Sequence, residues 1–190
     1  MYEKLHPHPI AGVDEVGRGA IAGPVVACAV VLPEGLYIEG IYDSKKLSKF
    51  KREELSKKIA KTALCFSYGL VEAGRVDEIN IHRASLEAMK NAVDGLSVKP
   101  RTVLLDGTHP PAVDFPVVCI KGGDSLSFTI AAASILAKVF RDGLMEEYHD
   151  EYPCYGFSSH KGYGTKKHFD AVSKHGFSPL HRKTFLKKYE

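Results

Sequence analysis

Apolar positions recur along this chain with two periods, and the switches between them mark out its elements. Residues 10–16 read as a buried strand that stops at a run of glycines. Residues 24–32 (Pro-Val-Val-Ala-Cys-Ala-Val-Val-Leu) are strongly β-forming and are closed by Pro33. The connection between them is short, which makes them antiparallel neighbours. Ser48 is placed to cap a helix to about Thr62, with Leu55 and Ile59 four apart on its inner face. Over 63–71 the pattern alternates, with Leu64, Phe66, Tyr68 and Leu70 on one side, and predicts a third strand.

Helical spacing then returns. Ile81, Ala84, Ala88, Ala92 and Leu96 recur every three or four positions, with Gly95 as a stop. A short apolar strand over 102–105 ends on Asp106-Gly107, and Pro110, Pro111 and Pro116 mark a loop. The next strand, 117–121, ends on Gly122-Gly123-Asp124, and the longest helical pattern covers 125–148. Beyond Pro153 lie two shorter helical patterns, at 165–174 and 179–186. Three strands in succession, then helix and strand in alternation, predict an α/β domain with a mixed sheet flanked by helices over 1–152. The C-terminal helical segment, 153–190, is too small to fold alone and should pack beside it.

Charge changes this picture by its distribution. The net charge is only +3, but 45–61 and 153–190 carry +6 each, which leaves −9 for the rest. An acidic body with two basic patches suits a polyanion laid across a carboxylate-lined site; two solvated helix faces are the plainer alternative. The four cysteines form no close pair and read as buried free thiols in a reducing cytoplasm. The first ten residues hold no apolar stretch of the kind a leader carries, and 25–32 is too short to span a bilayer, so no export or membrane role is expected.

The candidate chemistry lies at strand ends. Asp14-Glu15, Asp106 and Asp124 each follow an apolar strand and adjoin glycine, where ligands bind in open α/β sheets. Any one Asp-Gly step reads as a turn, but four acids converging there repel one another unless cations neutralise them. Mg²⁺ takes oxygen ligands, a few carboxylates plus substrate phosphate, and two such ions can serve phosphoryl transfer. Adjacent strand residues point to opposite faces, so Asp14 and Glu15 share a site only if the strand twists or ends there.

Gly17-Arg18-Gly19-Ala20-Ile21-Ala22-Gly23 fails the dinucleotide fingerprint, since its third glycine is one residue late and a strand follows. It reads either as a flexible hairpin or as backbone that approaches a ligand closely. Tyr163, flanked by glycines in a basic segment, suits stacking on a sugar or base. Asp142, beside Arg141 and one to two turns from Lys138 and Ser134, reads as half of a helix-face ion pair, with support of the acidic site as the alternative. The histidines lack zinc spacing and should lie on the surface or in the tail. No nucleophile elbow is present, and adjacent acids cannot flank a sugar as a glycosidase requires.

Six stretches carry a resemblance to a known family. They are 12–19 (Gly-Val-Asp-Glu-Val-Gly-Arg-Gly), 43–48 (Asp-Ser-Lys-Lys-Leu-Ser), 105–107, 121–124, the helix motif 132–139 and His160-Lys161-Gly162-Tyr163. In this order the chain resembles bacterial ribonuclease HII, the type 2 ribonuclease H. The resemblance implies a ribonuclease H-like fold and hydrolysis of the RNA strand of RNA·DNA hybrids. It also implies nicking 5′ to single ribonucleotides embedded in duplex DNA, leaving 3′-hydroxyl and 5′-phosphate ends. Asp14, Glu15, Asp106 and Asp124 match the acids that hold two Mg²⁺ or Mn²⁺ ions. Gly17-Arg18-Gly19 matches the loop that senses the 2′-hydroxyl, and Tyr163 the ring beneath the next deoxyribose. Lys45 and Lys46 match further substrate contacts, and a cytoplasmic monomer is expected.

Overall fold

The computed structural model describes residues 2–42 and 47–187, so Lys45 and Lys46 lie outside the described residues. Five strands build one mixed sheet in the order β3–β2–β1–β4–β5: β1 is Ile10–Val16, β2 Val25–Val31, β3 Cys65–Val71, β4 Thr102–Asp106 and β5 Val117–Ile120. The expected antiparallel pairing holds, with Val16 opposite Val26 and Ala11 opposite Val31. β4 runs parallel to β1, with Val13 beside Leu105, and β5 runs parallel to β4.

Both faces of the sheet are covered, which explains why β2 reads as an unbroken apolar run. Ala11, Val13, Ala27, Ala29, Val103 and Leu105 pack against helix α2 (Ala73–Asp94). Cys28 and Val30 face the opposite way, against α1 (Lys49–Thr62) and α3 (Phe128–Glu151). Helix α3 crosses β1 so closely that a Cβ on Gly12 would stand 2.2 Å from the Thr129 carbonyl carbon. That contact fixes α3 over the strand that carries Asp14-Glu15.

Three elements depart from the expected bounds, each for a tertiary reason. Helix α2 begins at Ala73 rather than near Ile81, and its two stretches meet at Asn80, whose φ is 68°. The Asn80 carboxamide oxygen accepts from the His82 and Arg83 amides, so Asn80 caps the second stretch, the one that the apolar spacing shows. Helix α3 begins at Phe128, not 125. The Ser127 hydroxyl accepts from the Ile130 amide, and the Glu3 carboxylate, 126 residues away, accepts from the Thr129 amide at 3.0 Å. The tail forms α4 (Phe157–His160), α5 (Lys166–His175) and α6 (Lys183–Leu186). Residues 179–182 are not helical as expected, because His181 bridges to Ala22 and Arg182 is buried.

Tyr155, Phe157 and Val172 bury against Met145 and Ala22. The Asp77 carboxylate accepts from the Lys183 and Thr184 amides, which fastens the start of α6 to α2. All four cysteines are free, but only Cys28 is fully buried; Cys154 is exposed. Among the described residues no helix is long and apolar enough to cross a membrane.

Candidate active site

The strand ends expected to carry chemistry do meet. One open cavity of about 430 Å³ is lined by Asp14, Glu15, Asp106 and Asp124, together with Arg52, Ser134, Lys138 and Tyr163. Register explains the gathering. β4 pairs with β1 only as far as Val13 and Leu105, so the next residues, Asp14 and Asp106, emerge together at the carboxyl edge. Beyond β5, a 3₁₀ turn at Gly123–Ser125 brings in Asp124, and the Gly123 amide donates to Asp106 Oδ1 at 2.9 Å.

Asp14 and Glu15 do point to opposite faces, as strand geometry requires. Asp14 is buried and takes a hydrogen bond from Ser134 on α3. Glu15 also lines a second cavity on the α2 side, with His82, Ser85 and Met89. Asp106 lines both cavities. The carboxylates therefore straddle the end of the sheet, and the site wraps over that edge.

Electrostatics favours cations here. Burial pushes the Asp14 carboxyl well above its ordinary range, and the charges of Glu15 and Asp106 add to the effect. Burial also raises Glu15, against the opposing pull of Arg18, whose guanidinium lies 2.9 Å from Glu15 Oε1. Among the described residues no three His, Cys, Asp or Glu side chains already converge as a metal cage. Local bonds account for part of this, since Asp14 Oδ1 accepts from the Glu15 amide and Asp106 Oδ1 from Gly123. The donor set is nevertheless all carboxylate oxygen in an open cavity, which fits a hard divalent ion that keeps water or phosphate as further ligands.

The glycine loop between β1 and β2 spans 17–24 and is pinned at many points rather than hinged as a hairpin. The Ile21 and Ala22 amides donate to the Gly162 carbonyl, the Gly23 amide to Leu180, and Ala20 bridges Tyr163. Gly17 has φ 89°, and a Cβ there would stand 2.2 Å from Arg141 Nε. Gly19 is different: a Cβ would meet only the Tyr163 ring, at 4.0 Å. The fold requires Gly17, whereas Gly19 only keeps space open beside Tyr163. Gly17→Ala should therefore lose about 2–4 kcal/mol in chemical denaturation, and Gly19→Ala under about 1 kcal/mol.

Tyr163 is half-buried at the cavity wall, with Lys138 Nζ 5.9 Å and the Arg141 guanidinium carbon 5.6 Å from its ring centroid. The His168 ring meets its backbone and is flanked by His160 and His181, and all three tail histidines are buried rather than superficial. His168 Nδ1 lies 3.0 Å from the Tyr163 carbonyl, and its Nε2 lies 3.1 Å from His181 Nε2. His160 stacks on His168 at 4.2 Å and accepts from the Gly162 amide. Burial pushes His168 and His181 down to about 4.

Sequence reasoning placed Lys138 beside Asp142, and the two pair at 2.8 Å. It missed that Lys138 and Ser134 also line the cavity, although their four-residue spacing puts them on one face of α3. It missed Arg52 as well, which reaches the cavity from the first basic patch. Glu146 joins that patch to the tail, accepting from Lys49 at 2.6 Å and Lys161 at 2.7 Å, and the two lysines hold its carboxyl down at about 2.

Comparison with known proteins follows this geometry. The profile of the family described as Ribonuclease HII matches residues 11–188. A ribonuclease HII of Clostridioides difficile (strain 630) is 51% identical over 178 residues, covering 94% of this chain and 70% of that protein. The crystal structure of the ribonuclease H2 from Pyrococcus horikoshii OT3 superposes with a TM-score of 0.80 at 28% identity, over 94% of this chain and 95% of the other. Bst-RNase HIII in complex with Mn²⁺, at 16% identity, shares the fold with a TM-score of 0.71 over 99% of this chain and 72% of its own.

Proposed function

The chain belongs to the ribonuclease HII family, and on that premise we propose that it nicks duplex DNA 5′ to single embedded ribonucleotides, besides cutting RNA in RNA·DNA hybrids. Family membership makes it a metal-dependent endoribonuclease of the ribonuclease H type. The observation that carries the finer reading is the single cavity shared by four carboxylates, Lys138 and Tyr163. In this reading Asp14, Glu15, Asp106 and Asp124 hold two Mg²⁺ or Mn²⁺ ions. Such ions supply Lewis acidity at the scissile phosphate and a nucleophile at neutral pH.

The chain's own residues divide the remaining work. Ser134 orients Asp14 by its hydrogen bond, and Gly123 orients Asp106. Lys138 and Arg52 bring positive charge to the cavity wall, where a phosphate lies against four acids. Gly17-Arg18-Gly19 presents backbone to the ribose, and Tyr163 offers its ring to the following sugar. Lys45 and Lys46 belong to the same proposal as outer phosphate contacts. The products carry 3′-hydroxyl and 5′-phosphate ends, and the enzyme works as a cytoplasmic monomer.

The test uses an end-labelled duplex with one ribonucleotide. With Mg²⁺ or Mn²⁺ the protein should nick 5′ to it, and Asp106→Asn should lower the rate by about a thousandfold or more. Cleavage that persists in EDTA, or in Asp106→Asn at the wild-type rate, sinks the assignment.

A further inference from the structure

Two guanidinium groups, Arg141 and Arg182, are wholly buried, and neither forms an ion pair with a carboxylate among the described residues. A buried charge without a carboxylate is costly, so what the two side chains do instead is informative. Both spend their donors on backbone carbonyls, all but one of them in the 17–24 loop. Arg182 Nε and Nη2 donate to the Gly23 carbonyl at 3.0 and 2.8 Å, and Nη1 to those of Arg18 and Ala20 at 3.0 and 2.8 Å. Arg141 Nε donates to Pro24 at 2.9 Å, Nη2 to Ala22 at 3.2 Å and Nη1 to Lys161 at 2.9 Å. Five carbonyls of the segment 18–24 thus turn inward onto two cations.

Peptide planarity gives this a consequence on the outer side. In a trans peptide the carbonyl of one residue and the N–H of the next point in opposite directions. With the Arg18 carbonyl drawn in by Arg182, the Gly19 N–H is turned out, on an exposed residue beside the Tyr163 ring. The Ile21 and Gly23 amides, turned by the same logic, are taken up by Gly162 and Leu180. Only the guanidinium fork can hold several carbonyls in a fixed plane at once; an ammonium is a single point of charge.

We infer that Arg182, with Arg141 beneath Gly17, is a positioning residue that orients the peptide planes of the 17–24 loop for recognition of a ribose 2′-hydroxyl. The inference rests on the reading of Gly17-Arg18-Gly19 as the ribose contact. Neither arginine lines the cavity, so the effect passes through the loop.

Arg182→Lys keeps the charge and loses the fork. Its kcat/KM on a duplex with one embedded ribonucleotide should fall by about tenfold or more, since small misplacements at a site are costly. The Ki of an all-DNA duplex as competitor should stay within about twofold of wild type, because backbone contacts do not read the sugar. A purely structural role lowers only the folded fraction, which scales apparent kcat and moves neither KM nor Ki, so a kcat/KM that returns to the wild-type value once normalised to the folded fraction measured by circular dichroism overturns the inference. Where Arg182→Lys does not fold, Arg141→Lys is measured in the same way. Gly19→Ala separates the two levels. If it leaves ribose discrimination intact, the loop reading falls and the inference with it. If it alters discrimination while both arginine variants behave as wild type, only the inference falls.

Discussion

Asp14→Asn is expected to abolish hydrolysis and, in the same protein, to raise the melting temperature measured without divalent ions. The two effects have one cause. Asp14 is buried against Glu15 and Asp106, and its carboxyl is pushed well above its ordinary value of 3.8 by burial first and by those charges next. Holding it ionised therefore costs stability, which a neutral side chain of equal shape recovers. The carboxamide oxygen can still accept from the Glu15 amide and Ser134, and its NH₂ gains carboxylate neighbours. A gain of about 1–3 kcal/mol is reasonable for relief of this kind, equivalent to roughly 3–10 °C for a chain of this size.

A folded-state value raised above the unfolded one means that the folded protein binds the extra proton, so this stabilising contribution is complete below 3.8. It is lost as pH rises through the folded-state titration. Metal-free wild type should thus lose stability over that rise, and Asp14→Asn should lose less. Mg²⁺ or Mn²⁺ should raise the wild-type melting temperature more than that of the variant, because neutralising the cluster is what the ion contributes. Activity falls by about a thousandfold or more if Asp14 holds an ion. A variant that melts below wild type without metal contradicts the account of a strained carboxylate cluster.

Much of this was legible in the sequence, and the exceptions share a cause. The apolar runs of β1, β4 and β5 end on charged residues or glycine, so both the sheet and the acids at its edge follow from local pattern. The straddling of that edge does not, because it depends on where β4 stops pairing with β1. Glu3 reaching the start of α3 and Asp77 reaching α6 are contacts across more than a hundred residues, invisible to any periodicity. Arg182 reads as one more charge in a basic tail, the usual place for arginine, and the helical spacing over 125–148 does not single out Arg141. Their partners are carbonyls, which every residue carries and no composition reveals.

Tyr163→Ala should cost little stability and much selectivity, because backbone rather than the ring holds the residue in place. Its amide donates to His160, its carbonyl accepts from the Thr165 amide and faces His168 Nδ1, and Ala20 bridges it across the loop. An alanine keeps all of these. What is lost is a half-buried ring between Gly19 and the cations Lys138 and Arg141. If that ring lies under the sugar following the ribonucleotide, its loss removes a stack of about 1–3 kcal/mol, or roughly ten- to a hundredfold in rate on a single-ribonucleotide duplex. Tyr163→Phe retains the ring and should retain most of the rate, since no hydrogen bond from the Tyr163 hydroxyl holds the loop among the described residues. Equal losses in the two variants point to the hydroxyl instead and remove the stacking role. A thermal midpoint near wild type in both keeps the comparison about substrate, because the loop and tail contacts are then intact.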